Sequence, residues 1–125
     1  MTQVVGPARV FVAAEDAFLR SALRLLLENE EGVAVVGEGA GAAGLVEQAR
    51  AAAPDLVLVT WGIARGSAPQ IVAALKSLPS RPRVVALNCC PAEGSPAQRA
   101  GADALVGTGE SPERLLAAVR GALRT

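Results

Sequence analysis

The chain has 125 residues, which is the size of a single domain, and half of them are apolar, enough to build a buried core. Twelve acidic residues balance twelve basic ones, so charge gives no argument for a nucleic-acid or membrane surface. No run approaches the roughly 18 apolar residues of a membrane span, and the N-terminus lacks the order of a secretory signal. We therefore expect a cytoplasmic domain.

Five short apolar runs alternate with helix-like stretches along the chain. They cover residues 9–13, 33–36, 55–59, 83–87 and 104–106. Runs this short, separated by amphipathic segments, are typical of buried parallel strands in a β/α repeat. Residues 1–8 contain Gly6-Pro7 and are predicted to form a flexible leader before a domain that spans 9–124.

Helices are predicted between the strands. The first covers about 16–28 with an apolar stripe wider than half its circumference, and the second covers about 45–53 and is stopped by Pro54. Serine caps are predicted for the later helices, at Ser67, Ser95 and Ser111. Right-handed crossovers then predict an α/β fold, a five-stranded parallel sheet with helices on both faces. We interpret the apolar stripe as core, and any uncovered part of it as a dimer or partner surface.

Cys89 and Cys90 are the only cysteines. A bridge between sequence neighbours is strained and closes no useful loop, so they do not indicate a disulfide framework. The chain has no histidine to complete a zinc site or a Cys–His catalytic pair, and packing is the simpler role for these thiols. An enzyme that uses Cys89 or Cys90 is the weakest hypothesis.

Three motifs carry a resemblance to a known family. They are Pro54-Asp55-Leu56-Val57-Leu58-Val59, Ala100-Gly101-Ala102-Asp103 and Ser111-Pro112-Glu113-Arg114-Leu115-Leu116. With these segments, nearly the whole chain resembles the receiver domains of bacterial response regulators, most of all those that precede a LuxR/NarL-type DNA-binding domain. The resemblance implies the (βα)5 flavodoxin-like receiver fold. The matched motifs belong to the scaffold rather than to the reactive site.

The working residues of the family match poorly at the first and third strands. Receivers end the first strand with two acids that help to hold magnesium, and those positions fall on Ala14 and Glu15 here. A register shifted by one residue offers Glu15 and Asp16 instead, but it loses the alignment with Arg20. The phosphate-accepting aspartate corresponds to Thr60, whose neutral hydroxyl is a weak nucleophile without a neighbouring base and a poor magnesium ligand.

The remaining positions also differ from the family. Asn88 stands in the place of the hydroxyl residue that bonds the phosphoryl group, Thr108 in that of the lysine, and Leu105 in that of the switch aromatic. Trp61 and Cys89 are candidate contacts to a ligand or a protein partner, because both follow strands at the rim of the sheet.

The resemblance therefore implies a pseudo-receiver, which is not an enzyme and needs no cofactor and no magnesium. We expect it to regulate transcription by dimerising or by holding a protein partner, and to reach DNA only through a separate or missing C-terminal domain. The alternative is a small-molecule module at the emptied rim, lined by Trp61, Asn88, Cys89 and the Gly39–Gly44 loop.

Overall fold

Five parallel strands form one sheet with the order β2-β1-β3-β4-β5. The computed structural model describes residues 6–41, 43–60, 68–87, 101–107 and 109–124. The strands are β1 (Ala8–Ala13), β2 (Val33–Gly39), β3 (Leu56–Thr60), β4 (Arg83–Leu87) and β5 (Ala104–Val106). The predicted five-stranded parallel sheet is confirmed.

The helices begin and end close to their predicted positions. They are α1 (Ala17–Glu28), α2 (Leu45–Ala52), α3 (Ala68–Lys76) and α4 (Pro112–Arg124). The Ser111 hydroxyl accepts a hydrogen bond from the Arg114 amide at 3.2 Å, which confirms the predicted cap of the last helix. α2 ends one residue earlier than predicted, because Ala53 turns into the left-handed region at φ 48° before Pro54. Ser67 and Ser95, the other predicted caps, lie outside the described residues.

Helices cover both faces of the sheet, so the core has two layers. On one face, α1 contributes the buried Leu23 and Leu27, and α4 contributes Leu115 and Val119. On the other face, the buried side chains of α2 and α3 pack on β1, β3 and β4. Those of the two helices are Leu45, Ala49, Val72 and Leu75. Among the described residues, no helix is long and apolar enough to cross a membrane.

Two carboxylates join the strands at the amino end of the sheet. Asp55 accepts a hydrogen bond from the Arg9 amide at 2.8 Å. Asp103 accepts one from the Val84 amide at 2.8 Å and forms an ion pair with Lys76 at 2.7 Å. Each aspartate accepts a hydrogen bond from a strand amide. Asp55 and Asp103, which belong to two of the matched motifs, therefore link neighbouring elements at the amino edge of the sheet.

The predicted end of β2 at residue 36 is wrong, since the strand continues through Gly37 to Gly39. A bulge shifts the register between β1 and β2, so that Phe11 lies opposite Gly37. A Cβ atom at Gly37 would lie 2.9 Å from two ring carbons of Phe11. These glycines resemble a turn in the sequence, yet both lie in the strand. The Phe11 ring occupies the space that a side chain at Gly37 would need, and Leu45 occupies that space at Gly39.

Other strand boundaries differ by one residue. β1 begins at Ala8 instead of residue 9, and its first amide donates to the Gly32 carbonyl at 2.8 Å. β3 runs one residue later than predicted, from Leu56 to Thr60, because Asp55 is engaged with Arg9 before the strand begins. β4 and β5 have the predicted bounds. The flexible leader over residues 1–8 stays a prediction, and residues 1–5 lie outside the described residues.

The substitution Gly37→Ala should destabilise the fold by about 1–3 kcal/mol, because the new methyl group overlaps the buried Phe11 ring. Gly121→Ala is the matched control, since a Cβ atom there meets nothing within 4 Å inside α4. It should stabilise the helix by about 0.5–1 kcal/mol. Urea unfolding of both variants measures the difference, and equal midpoints for the two would contradict this description of β2.

Candidate functional site

Thr60 ends the central strand β3 and lies buried at the carboxyl edge of the sheet. Its cross-strand neighbour in β4 is Leu87, and only 5% of the residue is exposed. By strand alternation its side chain shares a face with the buried Leu56 and Leu58. Among the described residues, none forms a hydrogen bond with the buried Thr60 hydroxyl. Such a group costs about 1–3 kcal/mol of stability, so that an apolar side chain of the same shape would suit this position better.

Ala14 follows β1 on the same edge and is fully buried. Its amide donates to the Gly39 carbonyl at 3.0 Å, and its carbonyl accepts a hydrogen bond from Nη1 of Arg20 at 2.7 Å. Glu15 is exposed to solvent. The end of β1 thus offers the solvent-exposed carboxylate of Glu15 and the carbonyl oxygen of Ala14, which is already bonded to the Arg20 guanidinium.

Asp16 is the N-cap of α1. One oxygen of its carboxylate accepts hydrogen bonds from the amides of Phe18 at 2.8 Å and Leu19 at 3.2 Å. These bonds satisfy donors that the first turn of a helix leaves open, and the negative charge suits the helix N-terminus. In the shifted register considered above, Asp16 would serve as a metal ligand. In the structure its carboxylate is committed to starting the helix.

A network of two arginines and two glutamates joins α1 to the end of β2. Glu38 forms ion pairs with Arg24 and, at 3.4 Å, with Nε of Arg20, while Arg24 also pairs with Glu28 at 2.9 Å. The pKa of Arg24 is raised, chiefly by its hydrogen bond to Glu28 and then by that to Glu38. The network therefore pairs two positive side chains with two negative ones.

The sequence analysis assigned no function to Arg24 and Glu38. The pattern that indicates them is the spacing of Arg20 and Arg24, four residues apart on one face of α1, beside an acid at the end of the neighbouring strand. The ion pairs can be predicted from this pattern only if β2 is known to continue as far as Glu38. The missed extension of the strand therefore hid the ion pairs as well.

Leu105 is half-buried in β5 and packs against Ala86 of β4. The other predicted positions of the site, namely Trp61, Asn88, Cys89 and Thr108, lie outside the described residues. Within the described part of the chain, no group of three or more acidic or cysteine side chains is placed to hold a metal ion. The structure brings Ala14, Glu15 and Thr60 to one edge, and their assignment to a former phosphorylation pocket stays a prediction.

Comparison with solved structures identifies the fold as that of response regulator receiver domains. The signal receiver domain of NarL from Mycobacterium tuberculosis matches with a TM-score of 0.84 and 22% identity over 96% of this chain and 98% of that one. The response regulator domain of CheB from Thermotoga maritima matches with a TM-score of 0.83 and 20% identity over 95% and 98%. The predicted fold class is confirmed.

A curated relative adds a sequence match. A Pseudomonas aeruginosa protein, provisionally named a transcriptional regulator, is 32% identical over 118 residues. The match covers 93% of this chain but only 56% of that protein, so the chain spans little more than half the length of this relative. No family model matches the chain.

Replacing the buried hydroxyl at the carboxyl edge should stabilise the protein. Thr60→Val keeps the shape of the side chain and removes an unpartnered polar group, so we expect the free energy of unfolding to rise by about 1 kcal/mol. Val12→Thr, which introduces a hydroxyl at a fully buried position of β1 on the same face, is the opposite control and should lower it by about 1–3 kcal/mol. A lower stability of Thr60→Val in chemical unfolding would show that the hydroxyl has a partner in solution.

Proposed function

We propose that this chain is a receiver-like regulatory domain that works without phosphorylation, by dimerising or by holding a protein partner. The observation that carries the proposal is the buried, unpartnered hydroxyl of Thr60 at the end of β3. A threonine needs a base within hydrogen-bond reach to become a nucleophile. No described residue bonds the Thr60 hydroxyl, so none of them is in place to take its proton.

Magnesium, which the receiver fold implies, does not fit the described residues at this edge. The ion takes oxygen ligands and is bound in proteins chiefly through carboxylates. Ala14 has no carboxylate, and its carbonyl oxygen is bonded to the Arg20 guanidinium, whose positive charge repels a second cation. Oδ1 of Asp16 is used in capping α1, so the loop after β1 offers one further oxygen of Asp16 and the exposed carboxylate of Glu15, with no described carboxylate at the end of β3 to complete the set.

A phosphoryl group would also find few partners among the described residues at this edge. It brings about two negative charges at neutral pH, which need cations or several hydrogen-bond donors in a partly buried site. Among the described residues, the buried side chains at the ends of β1, β3 and β4 are Ala14, Thr60 and Leu87, and none of them is charged. Arg20 is already bonded to Ala14 and paired with Glu38.

We further propose that the domain serves transcriptional regulation, and that contact with DNA belongs to a separate domain. The curated relative, of which the match covers 56%, supports this role, and the formal net charge of zero gives no argument for a nucleic-acid surface on this chain. A small-molecule site is the second candidate, favoured by the unpartnered Thr60 hydroxyl alone. A ligand that bonds it would raise the Tm of the native chain more than that of Thr60→Val.

The direct test is incubation with acetyl phosphate, and separately with beryllofluoride, in the presence of magnesium. We expect the intact mass to stay unchanged, and the fluorescence of Trp61, the only tryptophan, to show no saturable response. The matched control is a receiver that retains its aspartate and is treated in parallel. A mass increase of one phosphoryl group, or a saturable magnesium-dependent fluorescence change, would contradict the proposal.

A further inference from the structure

β2 lies at the edge of the sheet and pairs with β1 on one side only. Among the described residues, no strand pairs with its other side. The Gly39 carbonyl accepts a hydrogen bond from the Ala14 amide at 3.0 Å, so Gly39 faces β1. By alternation, the backbone N–H and C=O groups of Glu38 face away from β1. The bulge also leaves Val36 without a partner in β1. We call residues 35–38 the β2 edge.

This edge carries little of the protection that proteins usually give to an edge strand, such as lysine or proline. β2 contains neither, and its first four residues are apolar. The bulge is another protective device, but the strand continues beyond it as far as Gly39. The one charged residue of β2, Glu38, is paired with Arg20 and Arg24 of α1. The charge of Glu38 is thus balanced by α1 and does not repel an approaching strand.

A groove lies on each side of the β2 edge. The first has a volume of about 230 Å³ and lies between the β2 edge and Arg24 of α1. The second has a volume of about 400 Å³ and lies between residues 36–38 and α2. Its other lining residues are Phe11, Gln48, Ala51 and Ala52. Because α1 and α2 cover opposite faces of the sheet, the two grooves open on opposite faces of the same short stretch of strand.

We propose that the β2 edge binds an extended peptide segment of a partner protein as an added strand. This inference rests on the proposed function as a protein-contact domain and names the kind of segment that the domain holds. Main-chain hydrogen bonds to the outward groups of Glu38 supply affinity. Successive side chains of an extended segment point to opposite faces, so the two grooves receive alternate side chains and supply specificity.

The residues of the two grooves define the chemistry of that segment. Two N–H groups of the Arg24 guanidinium donate to Glu28 and Glu38. A guanidinium has five such donors, so Arg24 can also donate to a carboxylate or amide oxygen in the first groove. In the second groove, Ala51 and Ala52 beside the Phe11 ring favour an apolar side chain. The segment therefore alternates an acidic or amide side chain with an apolar one.

The helices on the two faces favour a lone segment over a second copy of this chain. α1 and α2 pack mainly over β2, one on each face. Paired strands lie about 4.8 Å apart, whereas packed helices need roughly 8–10 Å between their axes. Pairing β2 with the β2 of a second copy would crowd the two α1 helices together, and likewise the two α2 helices. An extended segment brings no helix to this edge.

Selection from a phage-displayed library of random peptides, with the whole native chain immobilised, tests the proposal. The enriched peptides should show the alternating pattern, and their synthetic forms should bind with a dissociation constant on the order of 1–100 μM in fluorescence anisotropy. Ala51→Arg places a long side chain in the second groove and should raise this constant by about tenfold or more. Ala51 is exposed on α2, so the fold should be retained, and circular dichroism checks this. The matched control Ala117→Arg, at an exposed position of α4, should bind like the native chain.

Hydrogen exchange of the complex locates the bound peptide. Binding should slow exchange of the Glu38 amide, which faces away from β1, and leave the amides of α4 unchanged.

Three results would overturn the inference. A library that yields no binder shows that the β2 edge does not hold an extended segment. Enriched peptides that bind Ala51→Arg as tightly as the native chain, or that leave exchange of the Glu38 amide unchanged, lie elsewhere on the molecule. None of these results bears on phosphorylation, which the acetyl phosphate experiment tests separately, so a failure of this inference and a failure of the proposed function can be distinguished.

Discussion

The strands of a parallel sheet all have their carboxyl ends at the same edge, and the side chains at that edge determine which ligand the sheet can bind there. The strands are buried on both faces, so the side chains at their carboxyl ends are the ones that can meet a ligand there. In this protein the described ends of β1 and β3 hold Ala14 and Thr60, both buried. Neither of these two described side chains carries a charge, and the proposed function rests on this.

Several described charged side chains near this edge link one secondary-structure element to another. Arg20 joins α1 to the end of β1 through the Ala14 carbonyl, and Glu38 links it to Arg24 and to the end of β2. Asp16 starts α1. Pairs of this kind on a partly exposed surface contribute little each, and their net charge is near zero. Together they link α1 to the ends of β1 and β2.

The sequence analysis identified the elements whose physical cause is local. Apolar runs gave β4 and β5 with their bounds, and Ser111-Pro112 marked the beginning of α4. The extension of β2 could not be predicted, because Gly37 belongs to a strand only on account of the Phe11 ring, which comes from a neighbouring strand. Contacts between residues distant in the sequence leave no trace in a local pattern. The ion pairs of Glu38 were missed for the same reason.

The position of Thr60 at the end of a strand was predictable from the sequence, but the surroundings of its side chain were not. The sequence placed Thr60 at the end of the third strand, whereas the absence of a partner for its hydroxyl is a property of the packing around it. Likewise, the wide apolar stripe predicted for α1 did not reveal which of its members would be covered. Leu23 and Leu27 turned out to be core residues, and Phe18 and Leu25 to be surface residues.

Our central proposal is that the described residues at the carboxyl edge of this sheet do not hold the divalent cation on which phosphoryl transfer in receivers depends. A magnesium titration followed by the amide NMR signals of Ala14, Glu15 and Thr60 measures this most directly. The account predicts small, linear shifts that do not saturate up to tens of millimolar magnesium. Saturable shifts that are confined to these amides and lost in Glu15→Gln would contradict it.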